Sequence, residues 1–134
     1  MKTEIKHTWH FNQSPEEVWE YLTKSELLEQ WMMKTDFKPI VGHKFTFICT
    51  NITYCEVLEV KPFTRLVYSW RTNSVKDGNP FDSKVEWTLI PKKQGTELQL
   101  VHNGFTALED VAGHDNGWTT LGKQFVELLS SVEK

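Results

Sequence analysis

The chain has 134 residues, 39% hydrophobic and 25% charged, enough to bury one core without disulfides or metal ions, and is read as a single domain over residues 1–134. A net charge of −3 with scattered lysines offers no landing site for a phosphate backbone or an anionic membrane, which argues against nucleic-acid binding. No apolar run approaches the ~18 residues of a membrane span, and MKTEIKHTW lacks the apolar centre of a signal peptide, so a cytoplasmic location is expected.

Residues 4–11 alternate, with Ile5, His7, Trp9 and Phe11 on one face, as in a half-buried strand. Ser14-Pro15-Glu16-Glu17 then carries a capping serine, a proline at the first helical position and a glutamate three residues after the cap. A second start signal, Thr23 with Glu26, predicts another short helix holding Leu27 and Trp31. From Phe37 the pattern is β, with strands expected over 43–50, 53–61, 65–71, 83–90 and 96–103. Residues 50–51, 61–64 and 91–95 read as short turns, and 72–82 as a long loop. Cys49 and Cys55 flank the first of these turns. With Cys49 opposite Ile52, Cys55 falls opposite Thr46, which separates the sulfurs, so both are read as reduced, buried thiols.

The last element is an amphipathic helix expected from Trp118 onward, with Leu121, Phe125, Leu128, Leu129 and Val132 on one side and Asp115 or Asn116 as its cap. Gly117 is read as letting Trp118 pack closely. Gly122, beside the apolar stripe, has two readings: close approach of helix to sheet, or an open space beneath the helix that a phenylalanine at 122 would fill. Strand, two short helices, five or six antiparallel strands and a long helix make an α+β layout, simplest as a curved antiparallel sheet gripping that helix.

The segments SPEEVWEYLTKSELLEQW, VGHKFTF, EVLEVKPFTRLVYSW, KVEWTLIP, GTELQLVHNGF and GHDNGWTTLGKQFVELL resemble, in order, successive blocks of the START-like, helix-grip superfamily (SRPBCC). More closely they are similar to the branch related to the activator of the 90-kilodalton heat-shock protein ATPase. The resemblance implies a cavity between the curved sheet and the C-terminal helix. It implies that Phe45, Phe47, Tyr68, Trp70, Val85, Trp87, Leu100 and His102 line that cavity from the sheet, with Phe105, Trp118, Leu121 and Phe125 closing it from the helix side, around the space read at Gly122. It spans lipid carriers, hormone binders, cyclases and chaperone regulators, so the fold does not choose among them.

The residues themselves supply little catalytic chemistry. No Gly-x-Ser-x-Gly, phosphate loop, paired carboxylates or metal-ligand spacing occurs, and no cofactor is implied. His102 and His7 fall on the inward face, and His114 and Asp115 are adjacent and so cannot form a relay on a helix. Six Trp and eight Phe suit an apolar pocket as well as a filled core. The expected function is non-enzymatic binding of a small hydrophobic or aromatic molecule. The alternatives are a protein-interaction module of the chaperone-activator type and a cyclase or hydrolase using His102.

Overall fold

Local signals at the start of the chain set the first two elements. The computed structural model describes residues 4–132. Strand β1 spans Glu4–Phe11 with Ile5 and Phe11 buried. The Ser14 hydroxyl then accepts from the Glu17 amide at 3.3 Å while the Glu17 carboxylate accepts from the Ser14 amide at 3.4 Å, so two otherwise unpaired donors are satisfied at the head of α1, Pro15–Thr23. Helix α2, Ser25–Leu28, does not begin at the Thr23–Glu26 signal. Thr23 closes α1 instead, its hydroxyl donating to the Trp19 carbonyl at 2.8 Å, and Lys24 stands at the α2 cap without a side-chain capping bond, its ammonium reaching back to Glu20 instead.

The remaining strands are β2 (Lys34–Thr35), β3 (Lys44–Ile48), β4 (Ile52–Lys61), β5 (Arg65–Asn73), β6 (Pro80–Lys92) and β7 (Gly95–Asn103). They form with β1 one antiparallel sheet in the order β1-β7-β6-β5-β4-β3-β2, a curled half-barrel. A bulge in β4 between Val57 and Glu59 shifts its register, and such bulges bend a strand. Three expectations are corrected here. Residues 37–41 lie outside the strands, with Ile40 and Val41 exposed. The long loop shrinks to six residues, because Asn73 pairs with Pro80 at the first position of β6, where a missing N–H does least harm. In the β3–β4 hairpin Cys55 pairs with Phe45 and Ile48 with Ile52, one residue from the expected register. The connection is three residues long rather than two, so Cys49 is exposed beyond the ladder; only Cys55 is buried, and burial pushes its thiol pKa up.

Helix α3 runs from Leu108 to Val132, 25 residues or about 37 Å, and starts ten residues before Trp118. Asp115, Asn116 and Gly117 are inside the helix, not at its cap. Asp115 meets His7 of β1 at 2.7 Å instead. Its buried face carries Trp118, Gly122, Phe125 and Leu129. Phe125 stacks on Trp31 at 4.1 Å between ring centroids, and Trp31 meets Trp87 edge-on at 6.2 Å, so this end of the helix sits on a solid aromatic core.

Gly122 provides contact, not space. A methyl group placed there would overlap the indole of Trp9, which fills the position a ligand was expected to enter. Gly122→Ala is therefore expected to cost about 1–3 kcal/mol and lower the melting temperature by several degrees. An unchanged melting temperature in a thermal scan would mean that Trp9 can vacate the site.

Candidate functional site

Two tryptophan–histidine pairs cross the helix–sheet boundary in opposite directions. Trp118 of α3 donates its indole N–H to Nδ1 of His102 on β7 at 2.9 Å, and Trp70 of β5 donates to Nε2 of His114 on α3 at 3.2 Å. An indole nitrogen only donates, so each contacted imidazole nitrogen must be the bare acceptor. His102 therefore carries its proton on Nε2 and donates to Ser83 Oγ at 2.8 Å, and the Ser83 hydroxyl donates on to the Trp70 carbonyl at 2.9 Å. His114 carries its proton on Nδ1 and donates to the Asp110 carbonyl at 2.9 Å. Both rings are held neutral. Burial, then the neighbouring His114, lowers the His102 pKa from 6.5 to about 2, and burial likewise lowers that of His114.

Beside this seam lies a cavity of about 310 Å³ between the first half of α3 and the sheet. Trp70, Trp118, Leu121, Met33 and Val75 form its apolar walls, and Glu109, Asp110 and His114 its polar ones. Gly113 and Gly117, four apart and so on one helix face, complete the lining, and a Cβ built on either meets nothing within 4 Å. Gly117 thus does not serve close packing. Asp110, 2% exposed, accepts from the Val75 amide at 2.9 Å and from the Ser74 hydroxyl, which ties the β5–β6 loop to the helix. Among the described residues no group of three or more His, Cys, Asp or Glu is placed to hold a metal ion.

Residues 12–130 match the family described as Activator of Hsp90 ATPase homolog 1-like protein. The chain belongs to this family. The fold of protein MLL2253 from Mesorhizobium loti is similar at a TM-score of 0.90 and 32% identity, over 98% of this chain and 99% of that one. CalU16 from Micromonospora echinospora superposes at a TM-score of 0.78 and 24% identity, over 94% of this chain and 73% of that one. The Aha1 dimer from Colwellia psychrerythraea has a similar fold at a TM-score of 0.83 and 16% identity, covering 99% and 100%. No curated protein sequence matches the chain. The helix-grip expectation drawn from the sequence blocks agrees with the family match and with these folds.

Within this family member, three of the residues expected around a cavity, Trp70, Trp118 and Leu121, line the open space. Phe45, Phe47, Tyr68, Val85, Trp87, Leu100, His102, Phe105, Gly122 and Phe125 are buried elsewhere in the helix–sheet interior and do not line it. Their rings fill that part of the interface: Phe45 packs edge-on to Tyr68 at 5.3 Å, and the Tyr68 hydroxyl accepts from the Trp87 indole at 3.0 Å. Met33, Val75, Asp110 and Gly113 were not singled out from the sequence, and Gly117 was read there only as a packing residue. Only the glycine pair carried a signal, a four-residue spacing just ahead of Trp118.

The neutral histidines make stability depend on pH. Below pH 6.5 the unfolded chain takes up protons that folded His102 refuses, so stability is complete above that value and falls as pH falls. Between pH 7 and 5 the loss is about 2 kcal/mol from His102 alone, above the range in which carboxylates titrate. Urea unfolding at the two pH values measures it, and equal midpoints would contradict the neutral assignment. Trp118→Phe strands His102 Nδ1 without a donor and is expected to cost about 1–3 kcal/mol at pH 7 in the same assay.

Proposed function

We propose that the protein binds a small hydrophobic or aromatic molecule in the cavity between α3 and the sheet. The observation that carries this reading is the Gly113–Gly117 pair. Each glycine in a helix interior costs about 1 kcal/mol relative to alanine, and neither is needed here to admit a neighbouring group. Both glycines are exposed and form the open edge of the space, where their missing side chains leave room beside two indoles and a leucine. The volume falls at the small end of the range that ligand pockets of about 300–1,000 Å³ occupy. A wider depression of about 660 Å³ near Ser14 and Lys92 is lined mainly by polar and charged groups, and the helix terminus beside it is already capped.

A second reading, a protein-interaction module, is supported by the outer face of the β3–β4 hairpin. Ile48 pairs with Ile52 there, Tyr54 follows on the same face, and all three are exposed. The third reading, acid–base catalysis by His102, lacks such support, because the ring is 0% exposed, lies off the cavity and has both nitrogens engaged.

Gly117→Ala is expected to raise stability by roughly 0.5–1 kcal/mol, because the new methyl group meets nothing. Gly117→Leu is expected to occupy the cavity while the domain stays folded. Thermal unfolding against neutral aromatic compounds tests the reading. A ligand at a hundred times its dissociation constant stabilises the fold by about 2.7 kcal/mol, and that shift should vanish in Gly117→Leu. A shift of the same size in the variant would place binding elsewhere.

A further inference from the structure

The polar groups around the cavity are one-sided, and that bears on the chemistry of its occupant. Both indole N–H groups in the walls are already spent, Trp70 on His114 and Trp118 on His102. The His114 N–H is spent on the Asp110 carbonyl, and the Val75 amide on the Asp110 carboxylate. No side chain in the lining has a free N–H or O–H to offer a ligand. Acceptors are another matter. Ser74 and Val75 occupy two of the roughly four acceptor positions of the Asp110 carboxylate. Glu109 stands exposed at the rim, and among the described residues no ion pair engages it. No lysine or arginine lines the cavity; Lys34 and Lys76, next in sequence to Met33 and Val75, are exposed and outside its lining.

On the reading that this cavity is the binding site, we propose that its occupant is an apolar molecule bearing an ammonium or comparable cationic N–H donor, and that carboxylic acids of the same shape are rejected. A carboxylate would enter a space with no donor to receive it and two like charges beside it, one of them buried, where such repulsion is least screened. An ammonium finds the reverse, carboxylate oxygens together with two indoles whose electron-rich rings attract cations. The positive end of α3 is the one feature that favours an anion. Asp110 already stands in its first turn, together with Glu109, and offsets it.

The test is calorimetric titration of the protein at pH 7 and low salt with indole, tryptamine and indole-3-acetate, which share one ring system and differ in charge. Tryptamine is expected to bind roughly tenfold or more tightly than indole-3-acetate, the scale of a desolvated cation–aromatic contact with a nearby carboxylate. Glu109→Gln should narrow that ratio, and Gly117→Leu should abolish binding of all three. Equal affinities, or a preference for the acid, would overturn the ligand class while indole binding still upheld the cavity itself. Amine binding that survives Gly117→Leu would overturn it too, by placing the cation on the acidic surface. Failure of all three compounds to bind, neutral indole included, would count against the cavity reading and the ligand class together.

Discussion

Trp118 reaches from α3 into β7 and Trp70 reaches from β5 into α3, each delivering an indole N–H to an imidazole of the other layer. These exchanges make the helix–sheet boundary more than an apolar contact. An indole N–H buried without an acceptor costs about 1–3 kcal/mol, and an imidazole nitrogen without a donor costs a similar amount. Sliding or rotating α3 by one residue would separate both pairs at once. The hydrophobic stripe alone tolerates such slips, whereas four committed nitrogens do not, so the helix takes one position on the sheet.

The three glycines of α3 show how one residue type serves opposite ends. At Gly122 the missing side chain admits the Trp9 indole and the interface closes. Two turns earlier, at Gly113 and Gly117, the missing side chains admit nothing, and the interface stays open. The aromatic core therefore divides along the helix. Its second half is filled by Trp9, Trp31 and Phe125, and along its first half the paired tryptophans and histidines border a space whose glycine edge is exposed.

The alternating strands, the Ser14–Glu17 cap and the stripe from Trp118 to Leu129 were legible because each is written in neighbouring residues. The start of α3 was not. Gly113, Asp115, Asn116 and Gly117 all signal a helix end locally, and the contacts that overrule them come from far along the chain. Asp110 is held by a loop 35 and 36 residues away and His114 by a strand 44 residues away. The cavity was displaced for the same reason. Phase places Phe45, Tyr68 and Trp87 inward correctly, but it cannot say which inward rings touch one another and which face a void, and it gives no signal at all for Met33 or Val75.

Asp110 also joins the wall of the cavity to the loop that borders it. Val75 is a lining residue, and its own amide is bound to the Asp110 carboxylate. Moving that side of the opening aside means releasing a carboxylate that is 2% exposed from both of its donors. The loop is thereby pinned to the helix beside a space that already opens to solvent past Val75, Gly113 and Gly117, all exposed, so the rigidity of this tie fixes the shape of the rim and not access through it.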